Sequence, residues 1–148
     1  MGRLRATSWA ATGLVAAALA WGGAGYLATK PTDFHDYRVA AVGAAQSAYD
    51  ALASADLTGT ALLAGRVTGR YADSMLGDAR DALAGAAKQF AGVSPPDQRT
   101  QKMRDELGPL LIKANAVLPG TASDITDKTL DNLKPVEDAL DQFLEEHE

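Results

Sequence analysis

The chain has 148 residues and a formal charge of −5, and it contains no Cys and only two His. This composition excludes disulfide scaffolds, thiolate metal sites, cysteine nucleophiles and metal sites built from three His. From residue 31 onward there are 11 basic and 19 acidic residues, a net charge of −8. Because an acidic surface repels phosphate groups, this balance argues against nucleic acid as a partner.

A continuous apolar run without a charge extends from Trp9 to Ala28. As a helix it would be about 30 Å long, which matches the hydrocarbon thickness of a membrane. Arg3 and Arg5 precede the run, so the positive-inside rule predicts a cytoplasmic tail at residues 1–8. We therefore predict a single-pass anchor at residues 9–28, a linker at 29–32 and an extracytoplasmic body. The residues expected to anchor the chain in the membrane are Trp9, Leu14, Val15, Leu19, Trp21, Tyr26 and Leu27.

The same run also fits a signal peptide that is removed. Ala18-Leu19-Ala20 has the small-x-small pattern of a cleavage site, and cleavage after Ala20 would release a secreted protein. The sequence from Trp21 to Ala28 stays apolar, whereas a cleavage region is normally polar and extended. This difference favours the uncleaved anchor, and the sequence leaves both possibilities open.

Residues 33–148 are predicted to form an all-α, antiparallel four-helix bundle with up-down-up-down topology. The first helix is expected to begin after Thr32 or Asp33 as its cap. It is expected to end near Asp56, because Asp56-Leu57-Thr58-Gly59-Thr60 carries turn and cap residues. Its predicted inner face consists of Phe34, Tyr37, Ala41, Ala44, Ala48, Leu52 and Ala55.

The second helix is predicted from about Ala61 to Ala91. Its inner positions are Gly65, Thr68, Ala72, Leu76, Ala79, Leu83, Ala86 and Phe90. Glycine inside a helix costs about 0.5–1 kcal/mol relative to alanine, and several occur in this segment. The helix is therefore either held by packing or interrupted by a break.

The third helix is predicted from about Pro96 to Leu118, following the turn at Gly92–Asp97, with Ser94 as a cap. Gly108-Pro109 is expected to kink it. Its apolar stripe consists of Met103, Leu107, Leu110, Leu111, Ala114 and Leu118.

The fourth helix is predicted to begin at Ser123 or Asp124 and to reach nearly to Glu148, with a kink or a split at Pro135. Its apolar stripe consists of Leu130, Leu133, Val136, Leu140, Phe143 and Leu144. Asp141 falls on an acid-rich face, which it shares by helical spacing with Glu137, Asp138 and Glu145.

Candidate sites for chemistry are weak. His35 lies between Asp33 and Asp36, but such near neighbours do not face one another on a helix and are better explained as first-turn polar residues. His147 is expected to lie at a frayed terminus. Because the sequence shows no nucleophile-base pair and no metal or nucleotide motif, we predict no catalytic residue, no cofactor and no metal ligand, and we do not expect an enzyme.

Three strings carry a resemblance to known proteins. Arg3-Leu4-Arg5 precedes the apolar run, Leu27-Ala28-Thr29-Lys30-Pro31 follows it, and the Ala-rich body contains the break at 90–97, Phe-Ala-Gly-Val-Ser-Pro-Pro-Asp. This layout resembles small membrane-anchored or exported helical proteins of GC-rich actinobacteria, most of which have no assigned function. The resemblance implies an extracytoplasmic location and no catalytic residue. The body is also similar to the four-helix ligand-sensing domains of chemoreceptors, but the sequence carries no second apolar run.

These observations favour a membrane-anchored helical bundle that binds another protein, as an accessory or scaffold subunit at the cell envelope. Docking would use one apolar or acidic helix face. The alternative is a secreted or anchored bundle that binds a small ligand or a cation between its helices. An apolar cavity with converging polar groups would favour this alternative.

Overall fold

The computed structural model of the chain describes residues 33–147, and in this range it contains helices and turns but no strand. The helices are α1 (Phe34–Leu63), α2 (Gly69–Ala91), α3 (Gln98–Val117), α4 (Asp127–Asp131) and α5 (Lys134–His147). A short 3-10 helix, Ala122–Asp124, lies between α3 and α4. The predicted all-α class and its bundle of helices are confirmed for this part of the chain.

The long helices alternate in direction. Near the start of α1, the ring of Tyr37 packs against that of Phe90 at the end of α2, with centroids 5.6 Å apart. The connection 92–97 then turns the chain into α3. His147 is the last residue of α5, and its Nε2 lies 3.3 Å from Oε2 of Glu106 in the first half of α3. Helices α1 and α3 therefore begin where α2 and α5 end.

The predicted apolar stripes form the core. All six stripe residues of the fourth predicted helix are buried, and so are most of those on the other three helices. Many of these core residues are alanines on α1, whose small side chains permit close helix packing. The largest fully buried apolar and aromatic side chains are Tyr37, Leu52, Leu76, Leu83, Leu107, Leu133 and Leu140.

Helix α1 is longer than predicted, because Gly59 is a packing residue instead of a turn residue. The helix continues past Asp56 and ends at Leu63. A Cβ atom on Gly59 would lie 2.5 Å from Cδ2 of Leu130, so the missing side chain allows α1 to approach the segment that carries Leu130. The prediction of an end near Asp56 was wrong for this reason.

The first turn of the bundle lies at residues 64–68. Gly65 has a φ of +67°, a left-handed conformation that glycine adopts at little cost. Thr68 caps α2 by accepting a hydrogen bond from the backbone N–H of Tyr71 at 3.2 Å. The predicted helical inner positions Gly65 and Thr68 were therefore wrong, and the alternative of a break in that segment is correct.

Helix α3 is capped by Asp97 and not by Ser94. The backbone N–H of Thr100 donates to Oδ1 of Asp97 at 2.8 Å, and the Asp97 N–H donates to Oγ1 of Thr100 at 3.1 Å. The backbone hydrogen bond from Thr100 is the main reason that the pKa of Asp97 lies below its ordinary value. The helix continues through Pro109 as a single element, so the kink predicted at Gly108-Pro109 does not divide it.

The predicted fourth helix is split, as one of the two alternatives at Pro135 required. Helix α4 is capped by Thr126, which accepts from the Thr129 N–H at 3.2 Å, so the predicted caps Ser123 and Asp124 were wrong. Pro135 occupies the first turn of α5, where its missing N–H has no intrahelical partner to lose.

Candidate functional site

The predicted anchoring and topology residues lie outside the described residues. These are Arg3, Arg5, Trp9, Leu14, Val15, Leu19, Trp21, Tyr26 and Leu27, together with the cleavage position at Ala20. Among residues 33–147, no helix combines the length and apolar character needed to cross a membrane.

The polar residues around His35 form a helix cap. The backbone N–H of Asp36 donates to Oδ1 of Asp33 at 2.8 Å, so Asp33 caps α1 as predicted. The His35 side chain is exposed. Within residues 33–147 there is no group of three or more His, Asp or Glu side chains arranged to hold a metal ion.

His147 is not at a frayed end, which corrects the prediction. Its ring packs on Phe143 with centroids 4.4 Å apart, and its Nε2 lies 3.3 Å from Oε2 of Glu106 on α3. Helix α5 is described up to this residue. These contacts attach the end of α5 to α3, which the sequence pattern did not indicate because the partner is 41 residues away.

A groove between α2 and α3 is the strongest candidate binding site. Its volume is about 490 Å³. On α3 it extends from Arg104 to Asn115, which corresponds to about 17 Å of helix. We call it the α2–α3 groove. Its lining residues are Leu83, Ala84, Ala87, Phe90, Ala91, Arg104, Gly108, Leu111, Ile112 and Asn115.

At one end of the α2–α3 groove, the lining on α2 stops at Ala91, the last residue of that helix. Beyond the other end, Nη2 of Arg80 on α2 donates to the carbonyl oxygen of Leu118 at 3.4 Å and so links α2 to the end of α3.

The walls of the groove are apolar and have short side chains. Ala84 and Ala87 lie on the α2 side, and Gly108 lies on the α3 side. A Cβ atom on Gly108 would meet nothing within 4 Å. Ile112 is 74% exposed beside these small residues. Covering such a surface removes apolar area from water, and this removal is favourable by about 25 cal/mol per Å². The small residues also allow the backbone of a partner to approach closely.

The polar groups of the groove are placed towards its ends. Arg104 is the charged residue of the lining, and no carboxylate of residues 33–147 lies within 4.0 Å of its guanidinium. Asn115 lies about three turns further along α3. Burial raises the pKa of the nearby Tyr37 phenol, and the charges of Arg104 and Asp105 act on this pKa in opposite directions. The charged residue of the lining therefore lies at one end of the groove.

A second unusual feature is the buried carboxylate of Glu137 at the contact between α5 and α1. Glu137 is 8% exposed, and its Oε1 has no hydrogen-bond partner. Its Oε2 lies 3.9 Å from Nζ of Lys134. Burial raises its pKa, the charge of Lys134 opposes this, and the carboxylates of Asp56 and Asp138 add to it. The predicted position of Glu137 on the acid-rich exposed face was wrong.

Sequence reasoning missed the groove, although one signal for it was present. Leu110, Leu111 and Ile112 are consecutive apolar residues, and three consecutive positions of a helix cannot all face one core. Leu111 is buried, Leu110 is half-buried and Ile112 is exposed. Ile112 is therefore the apolar residue of this run that the core does not use, and it lies on the surface of the groove.

The comparisons with known proteins do not assign a family. No protein-family model matches the chain, and neither a curated protein nor a solved structure shows significant similarity to it. The function of the chain is therefore inferred from the geometry of the described residues and from the sequence that precedes them.

Proposed function

We propose that this chain is a membrane-anchored accessory or scaffold protein of the cell envelope, whose helical bundle binds a protein partner through the α2–α3 groove. The observation that carries the proposal is the apolar groove with Ile112 exposed at its edge. The apolar run at residues 9–28, preceded by Arg3 and Arg5, supports the membrane location. An anchor of this kind would confine the search for a partner to the plane of the membrane.

A protein partner explains the exposure of Ile112 better than a small molecule does. A small ligand is typically buried over most of its surface in a concave pocket, whereas a protein helix can cover a shallow, open groove. The volume of about 490 Å³ nevertheless lies in the range of small-molecule sites. A small apolar ligand is therefore the second candidate for the same groove.

The membrane anchor is tested on the native protein. We expect the chain to fractionate with membranes and to keep its N-terminus, because the apolar run is continuous from Trp9 to Ala28. Intact-mass measurement decides between the two forms. A mature chain that begins at Trp21 would establish the cleaved signal peptide and a secreted protein.

The partner is tested by placing a photo-crosslinking amino acid at position 112 of the full chain in cells. We expect a discrete crosslinked protein, because a docked partner would cover this exposed side chain. The same amino acid at the exposed position Asp141 on α5 is the matched control and should give no such product. Equal crosslinking at the two positions, or none at 112, would contradict binding through the groove.

A further inference from the structure

We infer that the partner segment that fits the α2–α3 groove is one amphipathic helix of about three turns with an acidic residue at one end. This inference rests on the proposed function and specifies the chemistry of the partner. It follows from the length of the groove, the small residues on its walls and the position of its one cationic lining residue.

The length of the groove sets the length of its occupant. The lining extends from Arg104 to Asn115, which is about 17 Å along α3, and the hydrogen bond between Arg80 and Leu118 lies beyond one end of it. A helix that lies along α3 in this space would need about 11 or 12 residues to span it. Such a helix presents apolar residues at i, i+3 or i+4, and i+7.

The small residues set the shape of the occupant. Ala84, Ala87 and Gly108 have small side chains, so a partner can come close to the backbones of α2 and α3. Large apolar side chains of the partner can then enter between these two helices. Ile112 would then pack against the side of the bound helix. This arrangement adds one helix to the bundle in the ordinary manner of helix packing.

Charge complementarity sets the end group. The described body of the protein is acidic, yet the charged residue in this apolar lining is the cation Arg104, and no carboxylate of the described residues pairs with it. The acids nearest in sequence, Asp105 and Glu106, do not belong to the lining. A carboxylate on the partner would pair with Arg104, whereas a lysine there would be repelled.

The experiment uses the full chain in nanodiscs of zwitterionic lipid and takes advantage of the absence of Cys. An environment-sensitive fluorophore is attached at Asn115→Cys, at the groove end remote from Arg104, and a control fluorophore is attached at Asp141→Cys. The probes are synthetic helical peptides with a leucine stripe, slightly longer than the groove. One peptide carries Glu at both ends of the stripe, so that either orientation places an acid near Arg104, and the other carries Lys at these positions.

We expect the Glu peptide to change the emission of the Asn115 probe and not that of the Asp141 probe. It should bind about tenfold more tightly than the Lys peptide, which corresponds to about 1.4 kcal/mol. Arg104→Glu should reverse this order, and Ile112→Asp should weaken both peptides. Circular dichroism of each variant shows that its fold is retained.

Other outcomes overturn the inference. If the Glu and Lys peptides bind with equal affinity and Arg104→Glu changes neither affinity, the partner does not need an acidic end group. If the emission of the Asn115 probe changes with the concentration of the chain alone, the groove binds a second copy of this chain. If the probe responds saturably to dodecanoate but to neither peptide, the groove binds a small amphiphile. If neither peptide binds while position 112 still crosslinks to a protein, the inference fails and the proposed function stands.

Discussion

Leu140→Asp is expected to unfold the bundle or to lower its free energy of unfolding by at least about 4 kcal/mol. Leu140 is fully buried on α5, within the stripe that includes Leu133, Val136 and Phe143. The substitution removes the buried side chain and also places an unpaired carboxylate in the core. Thermal unfolding of the full chain, followed by far-ultraviolet circular dichroism, measures the effect.

Asp141→Ala is the control for this prediction, since the adjacent residue is exposed. Substitutions at such surface positions usually change stability by no more than about 0.5 kcal/mol. The control should therefore melt close to the wild-type protein. If Leu140→Asp also melted at the wild-type temperature, the orientation of α5 against the core would be incorrect.

Glu137→Gln is expected to stabilise the protein at neutral pH by about 1–2 kcal/mol, because it removes a buried charge but keeps the shape of the side chain. Burial raises the pKa of Glu137, so the folded state binds its proton more tightly than the unfolded state does. This tighter proton binding stabilises the folded state. The stabilisation is fully present below the ordinary Glu pKa of 4.5 and is lost as the pH rises through the folded-state pKa. The advantage of the Gln variant should thus be absent near pH 4 and grow towards pH 8.

Urea titrations of the full chain in detergent at several pH values measure this difference. Asp138→Asn is the matched control, because it removes the same charge from the neighbouring exposed position. It should change the free energy of unfolding by no more than about 0.5 kcal/mol. A Glu137→Gln variant that is less stable than wild type at pH 8 would show that the weak pair with Lys134 outweighs the cost of burying the carboxylate.

The sequence alone was sufficient to predict the elements that depend on the local periodicity of apolar residues. The apolar residues between positions 130 and 144 recur mostly at three- and four-residue intervals, and Leu130, Leu133 and Leu140 are buried as this spacing predicts. The Gly92–Asp97 turn was recognisable because Pro95 and Pro96 disfavour a continuing helix. At Pro135 the same restriction predicted a kink or a split, and the structure shows the split.

Tertiary contacts decided the features that local patterns could not show. Gly59 was expected in a turn because glycine favours turns in general, but the approach of Leu130, which is distant in sequence, makes it a packing residue inside α1. Likewise, helical spacing placed Glu137 among exposed acids, whereas its burial depends on where α1 meets α5. The α2–α3 groove has the same origin, because Ala84 and Gly108 become walls only when the two helices are brought side by side. Periodicity determines which face of a helix is apolar, but only the packing of helices determines which part of that face stays open to a partner.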